Sequence, residues 1–323
     1  MPENRGRARH VLGDWGTTRL RLFLVENDVV TDRCEGPGIR AMAMQPVEHR
    51  LDMLADLVKP WIGEPRTMRV LLAGMAGSRN GLFEVPYKSL PADGRAWSLL
   101  ARTMSMRGMD ITMDITIAAG LCSRDGGGAD VMRGEEAQVF GAMDLEPALK
   151  AGTHVLLLPG THSKWVRVID GSITRFRTAM TGELYALLLE HSTLLKTDAD
   201  PASPGTATDA DRTDGFRAGI ARSLEAKNNL LAALFEARAA QLLESRSKSW
   251  ATGFLSGLLI GEEIRGVGKS FATNAAIRII GDPQLTSLYR SAFSARGVET
   301  QTMDGADCVI AGLSALRKHL ADV

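Results

Sequence analysis

The chain has 323 residues, of which 45% are hydrophobic and 24% charged, and its 38 basic and 38 acidic side chains give a formal net charge of zero. This length predicts roughly two domains, and the balanced charge offers no basic surface for a nucleic-acid backbone. Since no apolar run approaches the ~18 residues that a membrane span needs, we predict a cytoplasmic protein that binds neither nucleic acid nor a membrane.

The first predicted element is a β-hairpin at residues 11–25. Leu20, Leu22 and Leu24 recur at every second position, which is the period of a half-buried strand. The turn before them is polar and contains Gly16, so its backbone N–H groups can approach a ligand closely. We therefore expect a binding turn between two core strands.

The side chains of this turn predict a phosphate site. Gly16, Thr17 and Thr18 offer N–H and hydroxyl groups that suit phosphate oxygens. Asp14, at the end of the first strand, can hold a hydrated magnesium ion that also binds those oxygens. An ordinary Asp-containing turn is the alternative, so the hypothesis requires a second such motif elsewhere in the chain.

Strands and helices then alternate up to the middle of the chain. The elements predicted there are a helix at 47–61, a buried strand at 68–73, a small-residue loop at 74–81, a strand at 111–118, a glycine-rich connection at 124–129 and a helix at 134–142. The loop follows a core strand, which is where open α/β sheets place ligand contacts. The last helix has Glu135 and Glu136 in its first turn, where they complement the helix dipole.

A second pattern of strand, turn and strand occupies residues 155–168. At an offset of 144 residues four positions of the first hairpin recur identically, namely Val11 as Val155, Leu12 as Leu156, Gly16 as Gly160 and Thr17 as Thr161. Asp14 falls opposite Leu158, so the carboxylate is not repeated. This repeat predicts a duplicated domain whose two turns face one cleft and clamp phosphate groups. His162, in the second turn, is expected to be a hydrogen-bonding spacer, with a general base as the alternative.

The second half of the chain is predicted to be mainly helical. Its elements are a helix at 180–195, a surface loop at 196–215, helices at 216–244 and 250–264, a strand at 276–280, and helices at 285–295 and 304–320. The sequence Gly268-Lys269-Ser270 does not complete a P-loop, because Glu263 stands where that motif requires a glycine.

The cysteines indicate neither a disulfide framework nor a metal site. Cys34, Cys122 and Cys308 are odd in number, lie far apart and lack metal-ligand spacing. We therefore expect buried thiols.

Six sequence blocks resemble the 2-dehydro-3-deoxygalactonokinase family. They span almost the whole chain and are DWGTT at 14–18, GMAGSR at 74–79, DVMRGEE at 130–136, LPGTHSKW at 158–165, MTGEL at 180–184 and LSGLLIG at 255–261. The first block alone is typical of the broader sugar kinase, heat-shock protein and actin superfamily. The blocks at 158–165 and 133–136 are far more specific.

The resemblance implies an α/β protein with two ribonuclease-H-like domains of the actin-like ATPase superfamily and an interdomain cleft. A sugar-acid-binding domain at 1–147 and a nucleotide-binding domain at 148–323 follow from it, with the last helix packing back at the hinge. The implied reaction transfers the γ-phosphoryl of ATP, with Mg²⁺, to the 6-hydroxyl of 2-dehydro-3-deoxy-D-galactonate in galactonate catabolism. The alternatives are a related 2-keto-3-deoxy acid as substrate, or a sugar sensor or switch without turnover. A homodimer is compatible with the sequence, which does not fix the oligomeric state.

The resemblance also assigns roles to individual residues. Asp14 holds the metal, and the triphosphate contacts are Gly16, Thr17, Thr18, Gly160, Thr161 and Lys164. The superfamily's catalytic carboxylate has no exact equivalent here, because Gly134 stands at the nearest position. The candidate catalytic bases are therefore Glu135, Glu136 and the competing Asp130.

The remaining roles concern the two substrates. A substrate carboxylate calls for an arginine, and Arg79 and Arg133 are the two loop arginines able to supply one, with Ser78 beside the first. Glu183 resembles the ligand of a sugar hydroxyl. Adenosine is expected near small residues of the second domain, which are Ser256, Gly257, Gly281, Asp282 and Pro283.

Overall fold

The computed structural model describes residues 9–63, 66–124, 128–195, 208–225, 229–271 and 276–321. The chain divides into two compact units that are not continuous in sequence. The first unit comprises Met1–Thr153, Val168–Phe176 and Met303–Val323, and the second comprises His154–Arg167 and Arg177–Thr302.

The first unit is built on a six-stranded sheet with the order β3-β2-β1-β4-β7-β6. These strands are β1 (Arg9–Trp15), β2 (Arg19–Glu26), β3 (Val29–Pro37), β4 (Thr67–Gly74), β6 (Arg102–Gly108) and β7 (Ile111–Ile117). Strand β1 pairs antiparallel with β2 and parallel with β4. The predicted hairpin and the strands predicted at 68–73 and 111–118 are confirmed, whereas β3 and β6, which have few buried side chains, were not predicted from the sequence.

Smaller elements complete this unit. They are a three-stranded sheet of β5 (Tyr87–Ser89), β8 (Gly120–Ser123) and β9 (Asp130–Met132), and the helices α1 (Val47–Val58), α2 (Gly94–Ser98), α3 (Glu135–Leu145) and α9 (Gly305–Ala321). Helices α3 and α9 cross closely, because a Cβ on Gly141 would lie 1.7 Å from the carbonyl oxygen of Cys308. The C-terminal helix is thereby fixed to the first unit.

A second sheet, most of which lies in the second unit, repeats part of the strand order of the first. It has the order β12-β11-β10-β13-β14, with β10 (Thr153–Leu158), β11 (Ser163–Ile169), β12 (Ser172–Ala179), β13 (Ile277–Gly281) and β14 (Thr300–Asp304). Strand β10 is parallel to β13, as β1 is to β4. The hairpins β1–β2 and β10–β11 therefore occupy equivalent positions in their own sheets, which agrees with the repeat found in the sequence.

Two of the predictions for this unit, one of a loop and one of a helix, are wrong. The helices are α4 (Thr181–His191), α5 (Asp209–Leu224), α6 (Leu230–Leu243), α7 (Lys248–Gly266) and α8 (Pro283–Ser294). The loop predicted at 196–215 ends early, since Thr208 caps α5 by accepting the N–H of Asp211; residues 196–207 lie outside the described residues. The helix predicted at 216–244 is two helices, and Asn229 caps the second. Both caps are short polar side chains that satisfy free N–H groups at helix starts.

Helices α5 and α7 approach until their backbones touch. A Cβ on Gly219 would lie 2.1 Å from the carbonyl oxygen of Phe254, and one on Gly253 would lie 2.0 Å from that of Arg212. These distances are shorter than any real Cβ contact, so the crossing requires glycine at both positions.

We expect Gly253→Ala to destabilise the protein by about 1–3 kcal/mol, because the added methyl group must push the two helices apart. Gly266→Ala, at the end of the same helix, is the control, since a Cβ there has no neighbour within 4 Å among the described residues. That control should be neutral or stabilise by up to about 1 kcal/mol through helix propensity. Thermal and urea unfolding of both variants measure the difference; equal behaviour would contradict the tight crossing.

Candidate functional site

Asp14 lies at the C-terminal end of β1, beside the end of β4. Its Oδ2 accepts a hydrogen bond of 2.5 Å from Nη2 of Arg21, the residue opposite it on β2. Its Oδ1 faces two glycines, since a Cβ on Gly74 would lie 3.4 Å away and one on Gly134 would lie 3.8 Å away. Both glycines have positive φ angles, of 87° and 115°, which side chains disfavour. The missing side chains leave a cradle around the carboxylate.

The turn after Asp14 is fixed through its carbonyl groups. The carbonyls of Gly16 and Thr17 accept the N–H groups of Ile39 and Arg40 at 3.1 and 3.0 Å. Thr17 is half-buried and Thr18 is exposed. The turn is thus held from one side, while the Thr18 side chain reaches solvent.

The loop before α3 is organised by two adjacent glutamates. Oε2 of Glu135 accepts the N–H of Arg133 at 2.9 Å, and both carboxyl oxygens of Glu136 accept the N–H of Gly134 at 2.8 Å. Glu135 is partly exposed, whereas Glu136 has no exposed surface. Asp130 is also partly exposed and accepts the N–H of Val131 at 2.8 Å.

Burial determines the protonation of Glu136. Removal from water, and then the neighbouring charge of Glu135, raise the pKa of Glu136 from 4.5 to about 8. The bonds from the Gly134 backbone and the charge of Arg133 act in the opposite direction but are weaker. Glu136 therefore carries a proton at neutral pH and supports the loop from inside.

The two candidate arginines of this unit have different surroundings. Arg79 is 87% exposed, and its Nε lies 3.3 Å from a carboxylate oxygen of Glu84. Arg133 donates from Nη2 to the carbonyl of Val85 at 2.7 Å and stacks over the ring of Tyr87 at 4.2 Å. Arg79 can reach a ligand from solvent, whereas Arg133 is held within the protein. Ser78, next to Arg79, donates its hydroxyl to the carbonyl of Met75 at 2.8 Å.

In the second unit, the turn after β10 contacts the start of α4. The N–H of Glu183 donates to the carbonyl of Thr161 at 2.9 Å. A Cβ on Gly182 would lie 2.3 Å from the carbonyl oxygen of Gly160, so this approach requires glycine. Oε2 of Glu183 lies 2.5 Å from Nε2 of His162. The second turn and the helix start therefore form one structural group.

Lys164 lies just beyond this turn, on β11. It is 5% exposed, and its Nζ donates to the hydroxyl of Thr178 on β12 at 2.8 Å. Its amino group therefore lies inside the protein, next to strands β11 and β12.

A cavity of about 250 Å³ opens beside the same turn. Its lining includes both apolar and polar side chains; the lining residues are Gly160, Thr181, Gly182, Tyr185, Arg212, Ser256, Leu259, Ile260, Asp282, Gln284, Leu285, Leu288 and Tyr289. Of the residues expected near adenosine, Ser256 and Asp282 line this cavity. Gly257 instead contacts α5, where a Cβ would lie 2.1 Å from the carbonyl of Phe216.

The other two residues expected near adenosine flank Asp282. Gly281 ends β13 and Pro283 begins α8. The carboxylate of Asp282 accepts the N–H of Gln284 at 2.9 Å and so caps α8.

Sequence reasoning missed Tyr185, Arg212 and Tyr289 on the cavity wall and Glu263 behind it. Glu263 is 5% exposed and belongs to a helix that is otherwise buried and apolar along this face. A glutamate within a run such as 254–264 is unusual, because a buried carboxylate needs donors. That pattern was the available signal. The other three carry no pattern that separates them from ordinary helix residues.

The remaining sequence expectations can be compared with the described residues. The three cysteines are free thiols, of which Cys308 is buried and the other two are half-buried. In the described part of the chain, no group of three or more His, Cys, Asp or Glu side chains could hold a metal ion. None of the described helices has the length and apolar character needed to cross a membrane.

Comparison with known proteins identifies related chains. Residues 14–316 match the family model of 2-keto-3-deoxy-galactonokinase. A 2-dehydro-3-deoxygalactonokinase of Escherichia coli (strain K12) is 33% identical over 98% of this chain and 99% of its own length. A probable 2-dehydro-3-deoxygalactonokinase of Rhizobium meliloti (strain 1021) is 34% identical over 95% of this chain and 96% of its own length. The crystal structure of a candidate 2-dehydro-3-deoxygalactonokinase from Sinorhizobium meliloti superimposes with a TM-score of 0.80 at 33% identity, covering 97% of this chain and 100% of that one.

The buried carboxyl of Glu136 predicts a pH-dependent stability. Below pH 4.5 the Glu136 carboxyl is protonated in both the folded and the unfolded protein, so the full stability is present there. As pH rises from 4.5 to about 8, the unfolded state loses this proton first and the folded protein becomes less stable. Glu136→Gln cannot ionise, so its free energy of unfolding relative to wild type should rise by up to about 1.4 kcal/mol per pH unit across that window. Urea unfolding between pH 5 and 9 measures this, with the exposed Asp144→Asn on the same helix as control. Parallel curves for Glu136→Gln and wild type would contradict the proposed protonation.

Proposed function

Because the chain belongs to the 2-keto-3-deoxy-galactonokinase family, we propose that it transfers the γ-phosphoryl of ATP to the 6-hydroxyl of 2-dehydro-3-deoxy-D-galactonate, giving the 6-phosphate and ADP in galactonate catabolism. The predicted family and the actin-like α/β fold are confirmed by the match over 14–316 and the TM-score of 0.80. The observation that carries the proposal is the Asp14 carboxylate between two glycines, at the end of β1 and within the matched region. No observation favours a sensor without turnover.

The second unit suits the nucleotide. Leu259, Ile260 and Leu288 give its cavity an apolar wall against which an adenine ring can lie, while Ser256 and Arg212 offer polar contacts. The Gly160 turn borders the same cavity, so phosphates that extend from a bound adenosine would meet its N–H groups. We therefore assign the adenosine to this cavity and phosphate contacts to Gly160 and Thr161.

The first unit suits the metal and the first phosphate turn. A magnesium ion prefers one or two carboxylates together with waters and phosphate oxygens. Asp14 offers one carboxylate in a cradle that a side chain at Gly74 or Gly134 would fill, so the donor set fits such an ion. When bound, the ion would neutralise charge on the transferring phosphoryl group. Thr17 and Thr18 supply hydroxyl and N–H donors next to it.

The substrate hydroxyl needs a proton acceptor, and Glu135 and Asp130 are the proposed candidates. Both are partly exposed, whereas Glu136 is fully buried with a pKa of about 8 and so holds its proton at neutral pH. In phosphoryl transfer most of the acceleration comes from positioning and charge stabilisation, so the base contributes a smaller share. Glu183, paired with His162, is the proposed ligand of a sugar hydroxyl.

Arg79 is the proposed partner of the substrate carboxylate, because its guanidinium is exposed and its pairing with Glu84 is a weak surface interaction. A cytoplasmic location is part of the proposal, since ATP is available there and the three cysteines are unpaired thiols. The direct test is ADP production over a panel of 2-keto-3-deoxy acids and neutral sugars. Turnover with neutral sugars alone, or with none of the panel, would overturn the proposal.

Asp14→Asn should lower kcat by about 100-fold or more, because an amide holds magnesium poorly, while the fold is retained. The matched control is Arg21→Gln, which breaks the same 2.5 Å ion pair but keeps the carboxylate. Initial rates over a magnesium titration, with circular dichroism of both variants, measure the effect. If both variants lost activity equally, Asp14 would act through the ion pair and not through a metal.

Arg79→Ala should raise the KM for the sugar acid about tenfold or more and leave the KM for ATP unchanged, because a charged hydrogen bond contributes roughly 1.5–3 kcal/mol. Glu84→Ala is the control, since it removes the partner of Arg79 and keeps the cation. That variant should bind the sugar acid as well as wild type or better. A similar rise in both KM values for Arg79→Ala would assign Arg79 to the loop structure.

A further inference from the structure

A buried carboxylate lies directly behind the cavity of the second unit. Glu263, on α7, accepts hydrogen bonds from Nε1 of Trp165 at 2.8 Å and from the hydroxyl of Tyr289 at 2.6 Å, and a third, short one from the hydroxyl of Thr181. Trp165 lies on β11, Tyr289 on α8 and Thr181 at the first position of α4. One side chain thereby connects a core strand and three helices.

The donors around Glu263 explain how a carboxylate persists there. Burial raises the pKa of Glu263 from its ordinary value, while the bonds from Thr181, Tyr289 and Trp165 favour the charged form. Tyr289 is the ionisable partner, and its own pKa lies well above 10 because of burial and the adjacent carboxylate. The tyrosine is therefore a neutral donor. A buried carboxyl group with these donors is costly to disturb, so it fixes the positions of its partners.

Two of the hydrogen-bond partners of Glu263 lie at the cavity in which the nucleotide is proposed to bind. Thr181 and Tyr289 both line the cavity, together with Gly160. Directly after Thr181, Gly182 contacts the Gly160 carbonyl and Glu183 donates its N–H to the Thr161 carbonyl at 2.9 Å. The chain of contacts thus runs from Glu263 through Thr181 to the backbone of the turn.

We propose that Glu263 is a positioning residue for nucleotide binding, which sets the Gly160–Thr161 turn through its hydrogen bond with Thr181. The inference rests on the proposed function of that turn as a phosphate contact. Glu263 itself is too buried to touch the nucleotide. Its effect is on the geometry of the N–H groups, which must be preorganised because phosphate binding tolerates little misplacement. A purely structural role in joining α7 to β11 through Trp165 is the competing explanation.

The test uses Glu263→Gln, Thr181→Val and the double variant in the full-length protein. Glu263→Gln keeps the shape and one acceptor oxygen, and Thr181→Val keeps the volume without the hydroxyl. Each should weaken ADP binding about tenfold by calorimetry and raise the KM for ATP by a similar factor. Because both changes break one connection, the double variant should be no weaker than the worse single variant.

Two controls separate the explanations. Glu262→Gln changes the neighbouring glutamate, which pairs with Arg265, and should bind ADP as wild type does. Tyr289→Phe removes one donor to Glu263 and should give an intermediate loss.

Three results would overturn the inference. They are normal ADP affinity in a folded Glu263→Gln, additive losses in the double variant, and an equal loss in Glu262→Gln. The proposed function is tested separately by the wild-type protein. If wild type bound ADP with the expected variant pattern but phosphorylated no sugar acid, the proposed reaction would fail and the role of Glu263 would stand.

Discussion

Both candidate binding turns depend on backbone segments that approach more closely than a β-carbon would allow. In the first unit, a β-carbon on Gly74, beside Asp14, would lie 2.6 Å from the carbonyl oxygen of Trp15. In the second, Gly182 brings the start of α4 against the Gly160 carbonyl. Side chains at these points would push the neighbouring backbone away, and preorganised polar groups act on a ligand only at short range. Both turns require this close packing whichever residues carry out catalysis.

A buried glutamate supports each of these glycine contacts. Glu136 binds the N–H of Gly134 with both oxygens, and Glu263 binds the hydroxyl of Thr181 next to Gly182. Burial raises the pKa of both carboxyl groups, to about 8 for Glu136, but only Glu263 has side-chain donors that favour its charged form. Glu136 is therefore neutral at physiological pH, whereas the protonation of Glu263 is set by the balance between burial and its hydrogen-bond donors. Glu136 bonds directly to the backbone and Glu263 to side chains, and both carboxyl groups are buried.

The features of each unit suit the proposed phosphoryl transfer, in which the protein mainly positions the substrates and stabilises charge. A kinase needs fixed donors for the phosphates, a carboxylate for a hydrated cation and an apolar surface for the base. The second unit offers the apolar surface and one turn, and the first offers Asp14 and the other turn. The matching strand orders of the two sheets explain why each unit has a polar turn at the end of its first strand. The duplicated topology thus accounts for the two turns, and the unrepeated Asp14 gives only the first unit a carboxylate there.

The local sequence pattern was sufficient to predict the elements that have a strong hydrophobic period or a clear motif at their boundary. The alternating leucines of 20–24, the core strand at 68–73 and the paired motifs at Gly16 and Gly160 all appeared where the sequence predicted them. Strands β3 and β6 were missed because their side chains are largely exposed and leave no apolar alternation. The start of α5 was missed because its cap at Thr208 lies in a polar stretch that resembles a loop.

The sequence by itself determined the family, the fold and the residue types around each turn, because those depend on short motifs and on hydrophobic period. Only the tertiary structure distinguished the partly exposed Glu135 from the buried Glu136, and the solvent-exposed Arg79 from the stacked Arg133. It alone brought Glu263 to Thr181, which is 82 residues away in sequence. Burial and long-range contacts decide the charge and reach of a side chain, and neither can be deduced from neighbours along the chain.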